Sequence, residues 1–265
     1  MKHSLFIFVG LLSLTSCFEY SPNQIILDDS EKNLTARNIQ KISQRAPTDT
    51  LTVAFMGDSQ RWYDETEDFV RHVNQFNDVD FVLHGGDISD FGLVKEFRWI
   101  NEILSELKAP YLTVVGNHDL LANGRKVYTE MFGDYNYAFD YGDFRFIILD
   151  TNSREYEFNG RVPDLEWLQQ MLDENTENRS VIVASHIPPW DGDFDANLQQ
   201  AYAGILANDP NVVLSLHAHR HSFLDQEYYN DGVRYFVTTS MQKEGYALLK
   251  FSGSDVAIEM VSYDD

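Results

Sequence analysis

Apolar residues follow two different periods along the chain after residue 50. Short continuous apolar runs, typical of buried strands, occupy 51–56, 80–84, 111–115, 180–185 and 212–216. Between these runs, apolar side chains recur at the spacing of a helix face. Four such sets predict helices: Phe69, Val70, Val73 and Phe76; Phe97, Ile100, Ile103, Leu104 and Leu107; Leu165, Leu168 and Leu172; and Leu198, Tyr202, Ile205 and Leu206. The third is expected to begin near Pro163, and Asp195 is the expected cap of the fourth.

The last third of the chain has mostly strand patterns. Strands are predicted there at 233–238, 246–251 and 256–261, and a hairpin is predicted earlier in the chain, from 135–139 to 144–149. Strand-helix alternation early and hairpins late predict an α/β fold of two packed sheets flanked by helices. The chain has 265 residues, of which 43% are hydrophobic, and can therefore bury one sizeable core.

Each of the five apolar runs ends in side chains that can bind a metal or transfer a proton. The residues are Asp58 and Gln60; Asp87; Asn117, His118 and Asp119; His186; and His217 and His219. Loops at strand ends commonly carry functional residues, so we expect these side chains to converge. Oxygen and nitrogen donors without a thiolate suit Mn, Fe, Zn or Mg rather than a soft metal centre.

In this order, the five blocks resemble those of the calcineurin-like metallophosphoesterases, which read D-x-H, G-D, G-N-H-[DE], a single H, and G-H-x-H. The resemblance covers residues 50 to 250 approximately. It implies a four-layer αββα sandwich of two mixed β-sheets flanked by helices. It also implies a hydrolase of phosphate esters or phosphoanhydrides that uses two divalent metal ions, with a small phosphorylated molecule as substrate.

The resemblance assigns a role to each donor. Asp87 would bridge the two ions, with Asp58, Gln60 and His219 completing one site and Asn117, His186 and His217 the other. A hydroxide between the ions would be the nucleophile. His118 would protonate the leaving oxygen, and Asp119 would orient its imidazole.

Two positions depart from the common family pattern. Gln60 replaces a His, which is also the case in the manganese-dependent ADP-ribose and CDP-alcohol diphosphatases, and this favours Mn. Leu216 replaces the Gly of the last block.

The alternatives left open are a nucleotide or ADP-ribose-type diphosphatase of the same fold, and a non-catalytic surface binding lipoprotein. Arg220, Trp190 and Trp62 follow the ligand blocks and are candidate substrate contacts.

The first 48 residues predict an envelope protein. Residues 1–17 resemble a bacterial lipoprotein signal peptide, because a short apolar stretch ends at Leu14-Thr15-Ser16-Cys17. Cys17 is the only cysteine, the expected mature N-terminus and the expected site of a lipid anchor in the membrane. Residues 18–48 are predicted to be a tether, in which a helix between Asp29 and Ser43 would be stable only if it packed on the domain. Residues 49–265 form the predicted catalytic domain, lipid-anchored and periplasmic or surface-exposed.

The net charge of −22 limits the kinds of molecule that the protein can bind. So acidic a surface repels phosphate backbones, and stable nucleic-acid binding is therefore not expected. The sequence leaves the oligomeric state open.

Overall fold

The structure, a computed structural model, describes residues 24–47 and 50–263. Its strands are β1 (Leu51–Met56), β2 (Phe81–His84), β3 (Tyr111–Thr113), β4 (Tyr137–Tyr141), β5 (Phe144–Leu149), β6 (Ser180–Ser185), β7 (Val212–His217), β8 (Leu224–Gln226), β9 (Tyr235–Val237), β10 (Gly245–Ser252) and β11 (Asp255–Ser262). Its α-helices are α1 (Leu34–Ser43), α2 (Tyr63–Val73), α3 (Val94–Leu104), α4 (Gly124–Met131), α5 (Leu165–Asp173) and α6 (Gln199–Asn208). Single 3-10 turns lie at Asp29–Glu31, His118–Leu120, Ser153–Tyr156 and Met241–Lys243.

The strands form two mixed sheets. One has five strands in the order β11-β10-β1-β2-β3, and the other has six in the order β4-β5-β6-β7-β9-β8. Strands β1, β2 and β3 run parallel in the first sheet, as do β5, β6, β7 and β9 in the second. Parallel neighbours have their carboxyl ends at the same edge of a sheet. The loops that follow these strands therefore lie on one side of each sheet.

The central strands of both sheets are buried on both faces. In β1, Val53 and Phe55 face the core between the sheets, whereas Ala54 and Met56 pack on α2 and α3. The alternation in β6 is equivalent: Ile182 faces the other sheet, and Val181 packs on α5 and α6. These strands therefore appear as continuous apolar runs, and the predicted α/β fold with four layers is confirmed.

The predicted hairpin is confirmed as β4 and β5. The start of α5 agrees with the prediction, whereas the start of α6 differs from it. Helix α5 begins after Asp164, whose carboxylate accepts the Trp167 N–H at 3.0 Å. Asp195 does not cap α6, because its carboxylate accepts the Asn197 N–H at 2.9 Å and the helix begins only at Gln199.

The segment 24–47 packs on the domain. Ile42 of α1 is buried in the core between the sheets. Asn38 donates to the carbonyl of Tyr111 on the edge strand β3 at 2.8 Å, and Arg45 donates to the Asp80 carbonyl at 2.8 Å. The predicted short helix thus meets the condition set for its stability, and it covers a sheet edge that would otherwise be open.

The predicted signal peptide and Cys17 lie outside the described residues. In the stretches 24–47 and 50–263, no helix has both the length and the apolar character needed to cross a membrane.

Candidate metal centre

Six of the seven predicted donors meet where the carboxyl ends of the two sheets face each other. The five-stranded sheet contributes Asp58, Gln60, Asp87 and Asn117, which we call the oxygen side. The six-stranded sheet contributes three imidazoles, His186, His219 and His221, which we call the nitrogen side. The site is therefore a seam between the sheets, and its geometry depends on how they are held together.

Unusual backbone conformations present the donors. The φ angles are 53° at Asp58, 59° at Asp87, 69° at His219 and 52° at His221. Left-handed conformations are uncommon for residues other than Gly, and such strain is concentrated at functional sites. Gly116 permits a close approach, because a Cβ there would lie 2.1 Å from the backbone nitrogen and 2.2 Å from Oδ1 of Asp87.

Asp87 is the buried centre of the cluster. Its Oδ1 accepts the His118 N–H at 2.9 Å, its Oδ2 lies 3.3 Å from Nε2 of His186, and Gln60 donates Nε2–H to Oδ2 at 3.4 Å. Burial alone would raise the pKa of the Asp87 carboxyl, but the charge and hydrogen bond of His186 hold it below its ordinary value. The group is thus an anion inside the protein, as expected for a ligand shared by two cations.

Both ring nitrogens of His186 face oxygen atoms. Its Nδ1 lies 2.8 Å from the Gly85 carbonyl, to which it donates, and its Nε2 lies 3.2 Å from Oδ1 of Asn117. Burial opposes protonation of this ring, yet the Asp87 carboxylate raises the pKa of His186 to about 9. Atoms of Asp87, His186 and His219 lie within 4.8 Å of one another, a grouping that could hold a metal ion. Metal-ligating histidines usually donate a hydrogen bond from the ring nitrogen that does not bind the metal, as Nδ1 of His186 does to the Gly85 carbonyl.

Asp58 gathers the remaining donors. Its Oδ2 accepts the His219 N–H at 3.2 Å, and its Oδ1 lies 3.2 Å from Nε2 of His221. The hydrogen bond to Asp58 raises the pKa of His221. Nearby, Oε1 of Gln60 is buried without a hydrogen-bond partner among the described residues. An unpaired buried oxygen beside carboxylates and imidazoles fits a cation, so the residues present suit a pair of divalent ions.

The structure does not bring His217 to this cluster. The ring is fully buried, with Nδ1 3.0 Å from Oγ of Ser185 and Nε2 2.9 Å from Oγ of Ser215. It stacks on Tyr235, and burial lowers the pKa of His217 to about 3. His217 ends strand β7 with its side chain among these residues, and the loop that follows presents His219 and His221 instead. The predicted pair His217 and His219 is thus displaced by two residues.

Asp119 also differs from its predicted role. Its Oδ1 accepts the N–H of Ser89 at 2.8 Å and its Oδ2 accepts that of Gly116 at 2.9 Å, so it joins two ligand loops rather than orienting His118. Burial, together with the charge of Asp87, raises the pKa of Asp119 to about 7. Nδ1 of His118 instead lies 2.9 Å from the carbonyl oxygen of Asp90, whose carboxylate forms an ion pair with Arg61. The signal that could have indicated Asp90 is its position three residues after Asp87.

The three candidate substrate contacts have partners within the protein. Arg220 pairs with Asp191 at 2.7 Å, and Trp190 stacks on Tyr228 with ring centroids 4.0 Å apart. Trp62 packs on the core beneath the five-stranded sheet. Two carboxylates that were not predicted, those of Asp191 and Asp193, each lie 3.7 Å from Nε2 of His219 and form part of the rim.

Comparison with known proteins agrees with this geometry. The family model of the calcineurin-like phosphoesterases matches residues 51–223. The chain is 28% identical over 127 residues to the probable glycerophosphodiester phosphodiesterase GpdQ of Arcobacter nitrofigilis, which is 45% of this chain and 46% of that protein. It is 25% identical over 161 residues to a 3',5'-cyclic-nucleotide phosphodiesterase of Nostoc sp., 58% of this chain and 60% of the relative. These matches thus span about half to three fifths of each relative's length.

Among solved structures, a dimetal phosphatase from Danio rerio superposes with a TM-score of 0.63 at 15% identity, covering 81% of this chain and 99% of that one. A purple acid phosphatase from yellow lupin superposes with a TM-score of 0.63 at 15% identity, covering 82% and 52% respectively. At such identities the likeness shows the fold alone. Because the family model covers more than half of the chain and the fold agrees, the chain belongs to the calcineurin-like phosphoesterase family.

Proposed function

We propose that this protein is a binuclear-metal phosphodiesterase acting on small phosphodiesters. The observation that carries the proposal is the seam of seven oxygen and nitrogen donors centred on buried Asp87, with Oε1 of Gln60 left unpaired within the described part of the chain. Family membership supports hydrolysis of phosphate esters, and the curated relatives named above as phosphodiesterases support the choice of diesters.

The donors divide naturally around Asp87. Asp58, Gln60 and His221 would hold one ion, and Asn117, His186 and His219 the other, with Asp87 shared. When bound, two such ions lower the pKa of a water nucleophile and neutralise charge on the phosphoryl oxygens. The amide oxygen of Gln60 is a harder donor than imidazole, which favours Mn²⁺ over Zn²⁺ in the first site.

His118 is the candidate general acid. Its Nδ1 faces the Asp90 carbonyl at 2.9 Å, and its side chain is 34% exposed, so Nε2 is the ring atom available to a bound substrate. A proton held at Nε2 would pass to the leaving alcohol oxygen as the ester bond to phosphorus breaks. The Asp90–Arg61 ion pair supports the loop that carries the accepting carbonyl.

The charges of the rim favour a diester over a monoester. Three arginines near the seam are already paired: Arg61 with Asp90, Arg154 with Asp193 at 2.9 Å, and Arg220 with Asp191 at 2.7 Å. A dianionic phosphate is commonly bound by an unpaired arginine through two hydrogen bonds. A phosphodiester has one negative charge and depends less on such a contact than a dianionic monoester does.

The activity can be tested with metal-free protein reconstituted separately with Mn²⁺, Fe²⁺, Zn²⁺ and Mg²⁺. The substrates would be bis(p-nitrophenyl) phosphate, a cyclic nucleotide, a glycerophosphodiester, p-nitrophenyl phosphate and ADP-ribose. We expect metal-dependent turnover of the diesters, highest with Mn²⁺. Preferential hydrolysis of ADP-ribose would favour the diphosphatase alternative, and metal binding without turnover would favour a binding lipoprotein.

The cellular location is part of the proposal. We propose that the mature chain begins at Cys17 and is held in the cell envelope by lipid on that residue, as the Leu14-Thr15-Ser16-Cys17 sequence indicates. Cys17→Ser should then leave the precursor unprocessed or release the protein from membranes. An unmodified mature N-terminus in the unaltered protein would contradict this.

A further inference from the structure

Strand β5 supplies no metal donor, yet the residues that follow it contact both halves of the seam. Thr151 and Asn152 are fully buried. The Thr151 hydroxyl accepts the N–H of Ile187 at 2.9 Å and donates to the Ile187 carbonyl at 3.0 Å. Thr151 therefore holds the residue directly after His186, a donor of the nitrogen side.

Asn152 makes the corresponding contact with the other sheet. Its Nδ2 donates to the Val115 carbonyl at 3.0 Å, two residues before the donor Asn117. The same Nδ2 donates to Oδ1 of Asp150 at 2.7 Å, which fixes the orientation of the amide. Oδ1 of Asn152 is buried and has no hydrogen-bond partner in the part of the chain that the structure describes. An unpaired buried acceptor lowers the stability of the folded chain.

We infer that Thr151 and Asn152 are positioning residues that set the separation of Asn117 from His186. These two donors come from different sheets, and their Oδ1 and Nε2 atoms lie 3.2 Å apart. Two consecutive residues thus fix the loop of Asn117 and the strand end of His186 relative to each other. The inference rests on the proposed function, because it is the second metal ion that requires this separation.

The test uses the full mature chain and measures Mn²⁺ binding by calorimetry after metal removal. Asn152→Ala should weaken the ion held by Asn117, His186 and His219 by about 10- to 100-fold, the usual effect of removing a group that orients a ligand. The other ion, identified as the binding step that His221→Ala weakens, should change by less than about threefold. Thr151→Val should act like Asn152→Ala, and Thr151→Ser should restore normal affinity because it keeps the hydroxyl.

Asn136→Ala is the matched control. Oδ1 of Asn136 accepts the Asp150 N–H at 2.7 Å, so the change removes a hydrogen bond to the same segment without touching Val115 or Ile187. Its metal affinities should equal those of the unaltered protein. Equal weakening by Asn136→Ala and Asn152→Ala, or unchanged affinity in Asn152→Ala, would overturn the inference.

Amide hydrogen exchange of the metal-free protein separates this inference from the proposed function. Asn152→Ala should speed exchange around Val115 and Asn117 while the core strand β1 stays protected, and Asn136→Ala should not. If the unaltered protein bound no metal, the proposed function would fail. If it bound two ions and the exchange near Val115 were unaffected by Asn152→Ala, the positioning role alone would fail.

Discussion

The two sides of the seam are built by different means. Left-handed conformations occur on both sides, at Asp58 and Asp87 and at His219 and His221. On the oxygen side the donors lie in tight turns directly after their strands, where the Asp58 N–H donates to the Gly86 carbonyl at 2.9 Å. On the nitrogen side, side-chain contacts decide which imidazole reaches the site, as the Gly85 contact of His186 and the serine contacts of His217 show. Tight turns are specified by a few adjacent residues, whereas a histidine's direction depends on where its strand ends.

The largest expected effect tests the centre that both sides share. Asp87→Asn removes the buried negative charge between the two donor sets, so both ions should be lost and diester turnover should fall by more than about 10⁴-fold, or about 5 kcal/mol. Metal analysis and turnover of bis(p-nitrophenyl) phosphate measure it. Asp80→Asn is the control. Asp80 lies just before the first residue of β2, at the end of the strand away from Asp87, and its Oδ2 accepts the Thr52 N–H at 2.8 Å. Equal metal loss in both variants would indicate a general folding defect.

A smaller effect is expected from replacing His118, whose side chain is partly exposed beside the seam. His118→Asn should retain two metal ions, because the backbone N–H that binds Asp87 remains. Turnover of a diester with an alkyl leaving group should fall by about 10² to 10⁴-fold, since an alkoxide needs the proton. With p-nitrophenolate as leaving group the loss should be much smaller. A uniform loss on both substrates would show that His118 does not act as a general acid.

The assignment of the nitrogen side can be tested by comparing two histidines. His221→Ala should weaken one of the two ions by about 100-fold or more, because it removes a ligand near Asp58 rather than a group that orients one. His217→Gln should leave both metal affinities near normal, since its ring contacts Ser185 and Ser215 instead. Two-step Mn²⁺ isotherms of both variants measure the difference. The reverse result would restore the pairing predicted from sequence.

The oxygen side could be predicted from sequence, and the nitrogen side only in part. The turns at Asp58, Asp87 and Asn117 directly follow apolar runs, so the end of each run indicates the position of the donor. His217, His219 and His221 alternate with period two, and a shift of two residues preserves both the spacing and the strand alternation. Only the strand end selects between the two pairs. The shift also places Ala218, a small residue, where the family pattern has Gly.

Contacts between distant segments account for the other differences. Nδ1 of His118 lies 2.9 Å from the Asp90 carbonyl oxygen and 3.6 Å from the Asp90 carboxylate, and only the fold brings this loop beside His118. Helix α1 has few apolar residues, and its stability comes from the burial of Ile42 between the sheets and from Asn38 on β3. Sequence periodicity cannot show such tertiary packing.

The smallest effect concerns His217 alone and is measured without metal. Burial, together with the charge of His186, lowers the pKa of His217 to about 3, whereas an unfolded histidine titrates near 6.5. Between these two values the unfolded chain binds a proton that the folded chain does not, so His217 lowers the free energy of unfolding as pH falls from 6.5 toward 3. His217→Gln removes this dependence.

Between pH 6 and pH 4 the unaltered protein should therefore lose about 2 kcal/mol more unfolding free energy than His217→Gln does, whatever their difference at pH 7. Urea unfolding in the presence of a chelator measures it. His84, whose pKa burial also lowers to about 3, is present in both proteins and cancels in the difference. Parallel pH curves would mean that His217 titrates normally in the folded chain. The ring would then have access to water or to a counter-charge, and its exclusion from the nitrogen side would be in doubt.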